Sequence, residues 1–357
     1  MNASPPIQRE PANYTSLGYL RVAAATPSLA IGDAIANAKS ILEQANDLAE
    51  EGVALAVFPE LCLTGYSAED LFFSEALMAD TQNALQHLCA CDMPLLIVGA
   101  PWRLCDGRLI NCAVAIGNHR VLGMIPKTFL PNYSEYYEQR WFASGASVNE
   151  TEVHDALGTF HIRVDQLFRL GDALVGAEIC EDLWAPVNPG THAALAGSNI
   201  VCNLSASNEL VSKSDYREDL VRMTSAKSFC AYVYAGAGVM ESTKDVVFGG
   251  HCLIAEAGQL LAQSKRFELS PQAVIGDVDL QRLQHDRAQN TTFAQMPRRR
   301  AYRIVQADTN LPALTNLHRQ YSKQPFVPED GNEFSARAQE ILQIQATGLA
   351  RRMLAAK

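Results

Sequence analysis

The sequence VALAVFPELCLTGY occupies residues 53–66, and its first six residues form a short, continuous apolar run. Such a run is typical of a strand that is buried on both faces of a sheet. Before it, YLRVAAA at residues 19–25 predicts another strand, and apolar residues at helical spacing predict a helix over residues 32–51. A strand, a helix and a second buried strand in this order indicate a βαβ unit, and hence an α/β fold.

The same alternation continues along the chain. Gly117-Asn118 and Ala257-Gly258 mark the turns of two predicted hairpins. The further predicted strands are residues 95–99, 110–116, 121–125, 174–179, 200–204, 231–235, 252–255, 260–263 and 273–278, and the further helices are 74–91, 190–195 and 215–229. We therefore expect an N-terminal tail (1–16), one α/β domain (17–290), and a proline-punctuated linker with a C-terminal helix (291–357).

The composition is that of an ordinary globular chain. Its 357 residues are 48% hydrophobic, and 29 Lys and Arg residues against 39 Asp and Glu residues give a formal charge of −10. This balance argues against nucleic acid or an anionic membrane as a partner. Nine cysteines and eight histidines show no disulfide framework or metal-ligand spacing. With no apolar leader or membrane-length run, we expect a cytoplasmic protein without a metal ion.

Three predicted strand ends each carry a reactive side chain. Glu60 follows the strand at residues 53–58, Lys127 closes the second strand of the first hairpin, and Cys180 follows the strand at residues 174–179. In α/β sheets, ligands bind in the crevice at the carboxyl ends of strands. We therefore expect these three side chains to meet in one site.

This combination of residue types suits covalent catalysis. A free cysteine is only a few per cent thiolate at neutral pH, so a cysteine nucleophile needs a base or a nearby cation. Glu60 could accept the thiol proton, and Lys127 could stabilise the thiolate and the oxyanion of a tetrahedral intermediate. Taken singly, each residue also has an ordinary structural explanation: a packed cysteine, a loop acid and a solvated lysine.

The motifs that flank these three residues favour the catalytic explanation over the structural one. FPELCLTGY surrounds Glu60, PKTFLPNYSEYYEQRWF follows Lys127, and ICEDLW contains Cys180. This order and these motifs resemble the nitrilase superfamily and, more closely, the glutaminase domain of glutamine-dependent NAD+ synthetases, from about Leu17 to the C-terminus. The resemblance implies a nitrilase-like αββα four-layer sandwich and a carbon-nitrogen hydrolase acting through a Cys-Glu-Lys mechanism.

The resemblance also implies roles for residues around the reactive three. Glu138 would be a supporting second carboxylate of the catalytic set. The residues expected to bind glutamine are Tyr133 as a contact, Glu181 for the α-amino group, Trp184 as a pocket wall, and Ser207 and Lys213 for the rest of the amino-acid head. Glutamine carries both an ammonium and a carboxylate, so opposite charges in this set suit it.

Family members pass the released ammonia to an ATP-dependent synthetase domain. Neither SGGxDS nor GxxxxGK[ST] occurs in this sequence. ATP, Mg and deamido-NAD+ are therefore expected only on a synthetase domain that we expect to be absent from this chain, with no cofactor bound here. The expected partners are glutamine, a synthetase domain or subunit, and further copies of the chain in a homo-oligomer.

Two other functions stay open at this point. One is a stand-alone amidase or carbamoylase that acts on another small amide without a partner. The other is a catalytically silent assembly module, kept for the apolar surfaces by which such sandwiches pair.

Overall fold

The first βαβ unit lies within an eight-stranded sheet, called sheet 1. The computed structural model describes residues 13–296, 301–308, 310–328 and 330–356. Strand β1 (Tyr19–Thr26) pairs in parallel with β2 (Leu55–Val57), and helix α1 (Ala34–Glu50) connects them. The Asp33 side chain caps α1 by accepting from the Ala36 N–H, and Gly52, with φ of 80°, follows its end.

Sheet 1 continues on both sides of this unit. Its order is β14-β1-β2-β3-β4-β5-β7-β6. The added strands are β3 (Leu95–Arg103), β4 (Leu109–Gly117), β5 (Arg120–Pro126), β6 (Thr151–Asp155), β7 (Gly158–Ile162) and β14 (Gln272–Asp279). β2 and β3 are parallel, whereas β3, β4 and β5 form an antiparallel meander.

The second half of the chain builds a seven-stranded sheet, called sheet 2, with the order β13-β12-β11-β10-β9-β8-β15. Its strands are β8 (Gln166–Leu170), β9 (Ala173–Ile179), β10 (Ile200–Ser205), β11 (Ala231–Gly236), β12 (Leu253–Glu256), β13 (Gln259–Gln263) and β15 (Arg303–Gln306). The central strands β9, β10 and β11 are parallel.

Helices cover the outer face of each sheet. The remaining helices of residues 13–318 are α2 (Glu75–Leu88), α3 (Pro189–Leu195), α4 (Lys213–Ser228), α5 (Leu280–Gln289) and α6 (Thr291–Gln295). A separate helix, α7 (Gly331–Ala355), lies in the C-terminal region. α1 and α2 pack their apolar faces on sheet 1 through residues such as Ile41 and Leu85, and α4 packs on sheet 2 through Val221.

The two sheets face each other across a shared apolar core. Alternate residues of both sheets, such as Val22 and Leu55 from sheet 1 and Val175 and Val233 from sheet 2, are fully buried in it. Because successive side chains of a strand point to opposite faces, the intervening side chains of sheet 1, such as Ala56 and Leu96, pack against α1 and α2. The layers are therefore helix, sheet, sheet and helix, which confirms the expected αββα sandwich.

Several strands were not predicted. β6, β7 and β8 lie in a stretch where the sequence predicts no strand, and β15 lies inside the expected linker, where it pairs in parallel with β8. Residues 1–12 of the predicted tail lie outside the described residues, while Tyr14–Leu17 forms a short 3-10 turn. One compact unit ends at His318, and a second runs from Arg319 and contains α7. The boundary at residue 290 stays a prediction.

Within the part of the chain that the structure describes, no helix is both long enough and apolar enough to cross a membrane.

Candidate active site

The three reactive side chains emerge where β2, β5 and β9 end. Glu60 lies three residues beyond β2, Lys127 follows β5 directly, and Cys180 follows β9 directly. The Glu60 loop crosses β3 at Gly99 so closely that a Cβ atom there would lie 2.2 Å from the Leu61 nitrogen. Cys180 has a φ of 45°, a left-handed conformation that is uncommon outside glycine and is typical of functional turns.

A buried lysine joins two carboxylates at the centre of the site. Lys127 Nζ donates to Glu60 Oε1 at 2.6 Å and to Glu138 Oε1 at 2.7 Å. The Asn111 amide donates to Glu60 Oε1 at 2.7 Å, and the Tyr66 hydroxyl donates to Glu138 Oε1 at 2.9 Å. Lys127, Glu60 and Glu138 are each at most 1% exposed, so the two carboxyl groups and the amine interact inside the protein, away from water.

Burial and these charges shift the pKa values of the site. Burial raises the pKa of the Cys180 thiol to about 12, and the negative charge of Glu60 adds to this effect, whereas Lys127 opposes it. Burial also raises the pKa of Glu138, to about 7. For Lys127, burial would lower the pKa, but attraction from Glu138 and Glu60 raises it well above its ordinary value. The resting site therefore contains a neutral thiol beside a lysine ammonium.

Asp182 joins the segment that contains Cys180 to the segment that follows Lys127. Its buried carboxylate accepts from the Ile179 N–H at 2.9 Å and from the Phe129 N–H at 2.8 Å. Ile179 precedes Cys180, and Phe129 lies two residues after Lys127. One side chain thus fixes the backbone on both sides of the site.

A cavity of about 190 Å³ opens above Cys180. This volume is below the roughly 300–1,000 Å³ of pockets for drug-sized ligands, so it suits a small substrate. All five residues expected to bind substrate line it, together with the predicted nucleophile: Tyr133, Glu181, Trp184, Ser207, Lys213 and Cys180. The structure thus brings the predicted set together, while the role of each residue stays a prediction.

The cavity wall carries two acidic side chains, Glu135 and Glu181, and one ammonium, Lys213; the Asn208 amide donates to Glu135. The Tyr133 hydroxyl donates to Glu181 Oε1 at 2.8 Å. Lys213 Nζ donates to Asn208 Oδ1 at 2.5 Å and lies 5.6 Å from the centre of the Trp184 ring. Among the described residues, no carboxylate forms an ion pair with Lys213, so this ammonium keeps donors for an anion.

Some residues of the site were not singled out from the sequence. Asn111 is a polar residue inside the apolar run 110–116, a signal that was available, and Asp182 lies within the ICEDLW motif itself. Tyr66 is the last residue of the FPELCLTGY motif, whereas Asn208 gave no comparable signal; their partners Glu138 and Lys213 are brought to them only by the fold.

The described residues contain no group of three His, Cys, Asp or Glu side chains arranged to hold a metal ion.

The chain resembles longer proteins over most of its length. It is 38% identical over 354 residues to the glutamine-dependent NAD(+) synthetase of Mycobacterium tuberculosis H37Rv, covering 95% of this chain and 51% of that relative. The corresponding protein of Aquifex aeolicus is 29% identical over 254 residues, covering 70% of this chain and 41% of the relative. The chain thus spans about half the length of the curated relatives it matches.

Solved structures show the same likeness. A glutamine-dependent NAD(+) synthetase from Cytophaga hutchinsonii superimposes with a TM-score of 0.66 at 29% identity, covering 73% of this chain and 43% of that one. A nitrilase-superfamily amidase from Nesterenkonia has a TM-score of 0.58 at 18% identity, covering 78% of this chain and 97% of that one. The second likeness shows the fold alone.

The carbon-nitrogen hydrolase family model matches residues 21–288, which include Glu60, Lys127 and Cys180. This match spans most of the chain and agrees with the αββα architecture. The chain therefore belongs to the carbon-nitrogen hydrolases of the nitrilase superfamily, and it is a hydrolase.

Proposed function

We propose that the chain hydrolyses the side-chain amide of glutamine and supplies the ammonia for NAD+ synthesis from deamido-NAD+. The observation that carries this proposal is the small cavity above Cys180, whose wall holds both a carboxylate, Glu181, and an ammonium, Lys213. The likeness to glutamine-dependent NAD(+) synthetases over 95% of the chain supports the same substrate.

Glu181 and Lys213 have the charges that match the two ends of an amino-acid head. Glu181 would bind the α-ammonium of glutamine, and Lys213 would bind its α-carboxylate, since charge-assisted hydrogen bonds are about twice as strong as neutral ones. Ser207 and Tyr133 also line this wall, and Trp184 closes one side. The amide at the far end of the side chain would then reach the Cys180 sulfur.

The first half-reaction forms a thioester. Glu60 accepts the thiol proton as the Cys180 sulfur attacks the amide carbon, because the raised pKa of the thiol leaves almost no thiolate at rest. Lys127 and backbone N–H groups after Cys180 stabilise the negative charge that develops on the amide oxygen, each donor contributing about 3 kcal/mol. Glu60 then gives its proton to the leaving nitrogen, and ammonia departs.

The second half-reaction returns the free enzyme. Glu60 accepts a proton from water, and the resulting hydroxide attacks the thioester carbon. Collapse of this intermediate releases glutamate, and the proton on Glu60 returns to the Cys180 sulfur. Throughout, Glu138 holds Lys127 in place through the 2.7 Å contact.

The ammonia would be consumed by an ATP-dependent synthetase domain or subunit, which supplies the sites for ATP, Mg and deamido-NAD+. The relatives named as synthetases are about twice as long as the matched region, which supports this partnership. Homo-oligomerisation and a cytoplasmic location stay predictions.

The test is ammonia release by the purified chain from L-glutamine, L-asparagine and simple aliphatic amides. We expect release from glutamine that is lost in the Cys180→Ala variant and retained in Cys105→Ser, which changes an exposed cysteine. Turnover of simple amides instead of glutamine would identify a stand-alone amidase. Silence toward every amide, also after addition of a synthetase partner, would refute the proposal and favour an assembly module.

A further inference from the structure

Asn208 lies behind the substrate cavity and is only 3% exposed. Its side-chain oxygen accepts from Lys213 Nζ at 2.5 Å and from the Tyr136 hydroxyl at 2.7 Å. Its backbone N–H donates to the Tyr136 hydroxyl oxygen at 3.1 Å, and its amide nitrogen donates to Glu135. Lysine can only donate, so the amide oxygen must face Lys213.

Lys213 has few other constraints. Its ammonium lies 5.6 Å from the centre of the Trp184 ring and 5.9 Å from the centre of the Tyr136 ring, which are distances for weak cation–π contacts. Burial lowers the pKa of Lys213, and the nearby positive charge of Arg217 lowers it further. The lysine stem is flexible, so a partly buried ammonium moves toward solvent unless a hydrogen-bond acceptor holds it. Asn208 supplies that acceptor.

A buried ion pair fixes Asn208 in turn. Arg217 lies one helical turn after Lys213 on α4 and is 1% exposed. Its guanidinium donates to the Asn208 backbone oxygen at 3.3 Å and to Glu209 Oε1 at 2.9 Å. Arg266 holds the other oxygen of Glu209 at 3.1 Å. The Arg217–Glu209 pair thus holds the backbone of Asn208, while Tyr136 and Glu135, which line the cavity beside Lys213, hold its side chain.

We infer that Asn208 is a positioning residue that sets where Lys213 presents its ammonium, and so determines selectivity for substrates with an α-carboxylate. This inference rests on the proposed glutamine function and extends it by naming a residue outside the cavity wall. The charge that contacts substrate is that of Lys213, and Asn208 acts through it.

The contact predicts a specific kinetic pattern. Removing one hydrogen bond to a charged group should raise the KM for glutamine on the order of tenfold, with kcat changed less than about twofold. 4-Aminobutanamide has the amine and the amide of glutamine but no α-carboxylate. Its kcat/KM should stay unchanged, because it makes no use of Lys213.

The test compares ammonia release from both amides by the full chain and by three variants. Asn208→Ala removes the acceptor. Tyr136→Phe removes the hydroxyl that holds Asn208 and keeps the ring that lines the cavity, so it provides a milder second test if the first variant folds poorly. Asn83→Ala, at an exposed position of α2, is the matched control. Thermal unfolding of each variant checks that the folded state persists.

A glutamine-specific rise in KM for Asn208→Ala, with a smaller one for Tyr136→Phe and none for Asn83→Ala, supports the inference. An equal loss for both amides would show that Asn208 only maintains the fold, and an unchanged KM would show that Lys213 needs no anchor; either result overturns it. A parent chain that releases no ammonia from glutamine refutes the proposed function itself, which separates the two failures.

Discussion

Replacing Lys127 by methionine tests the electrostatics of the site most severely. In the folded protein its ammonium lies 2.6 Å from Glu60 and 2.7 Å from Glu138, and all three side chains are buried. Methionine fills similar space but leaves two carboxylates without the cation that balances them. The variant should therefore lose both stability and activity.

The expected loss of stability follows from the number of charges left behind. Removing one partner of a buried ion pair costs about 3–5 kcal/mol, because the other charge stays desolvated. Here two carboxylates lose the same partner, so we expect about 5 kcal/mol at alkaline pH. For a domain of this size, that corresponds to a fall in Tm of about 10–15 °C.

The loss should depend on pH in a defined direction. Burial raises the pKa of Glu138 from 4.5 to about 7, and Lys127 opposes this rise. Since the folded state binds this proton more tightly than the unfolded chain, stability falls as pH rises from 4.5 toward 7. Without Lys127 the pKa of Glu138 rises further, so the fall extends to higher pH. The difference between wild type and variant is then larger at about pH 8.5 than at about pH 6.

The measurement is urea unfolding of both proteins at these two pH values, with ammonia release from glutamine measured in parallel. Lys227→Met, at an exposed position of α4, is the control and should change stability by less than about 0.5 kcal/mol. A Lys127→Met variant with the same stability difference at both pH values, or with near-full activity, would refute this account of the triad.

Three further predictions concern the nucleophile, the substrate ammonium and the Glu60 loop. Cys180→Ser should reduce turnover by at least about a thousandfold and leave the chain folded, because the two side chains have similar volumes. Glu181→Gln should raise the KM for glutamine roughly tenfold but leave 4-carbamoylbutanoic acid, which lacks the α-amino group, unaffected. Gly99→Ala should lower stability by about 1–3 kcal/mol and slow turnover, because the new Cβ atom would lie 2.2 Å from the Leu61 nitrogen and displace the Glu60 loop.

Each of these has a matched comparison and a contradicting result. If Cys180→Ser unfolded, Cys180 would be a structural residue. If Glu181→Gln lost the same activity on glutamine and on 4-carbamoylbutanoic acid, Glu181 would not bind the substrate ammonium. Gly348→Ala is the control for Gly99→Ala, because a Cβ atom at Gly348 meets nothing within 4 Å. If both glycine variants kept wild-type turnover, the close approach at Gly99 would have no bearing on Glu60.

The sequence was most informative where strands are buried on both faces. β2 is a continuous apolar run, and β9 is apolar except for Gly176 and Glu178, so the sequence places their ends and, with them, Glu60 and Cys180. Lys127 followed from the hairpin signal at Gly117-Asn118. These patterns depend only on residues that are neighbours in the sequence, so they can be recognised without knowledge of the fold.

Long-range pairing could not be read in the same way. β6 is largely exposed at the edge of sheet 1, so it lacks an apolar pattern, and β15 has only four residues. β15 forms because it pairs in parallel with the edge of β8, a strand that lies more than 130 residues earlier in the sequence. Likewise, the ties from Asn208 to Tyr136 and from Asp182 to Phe129 join separate loops. Contacts between residues so far apart in the sequence cannot be predicted from a local pattern.

The central claim, that Cys180 forms a thioester with the side chain of glutamine, can be tested by rapid acid quenching of the chain with glutamine, followed by intact-mass and peptide mass spectrometry. We predict a glutamyl adduct on the peptide that contains Cys180, absent in Cys180→Ala and present in Cys105→Ser. Ammonia release without any adduct, or an adduct on another cysteine, would contradict the mechanism.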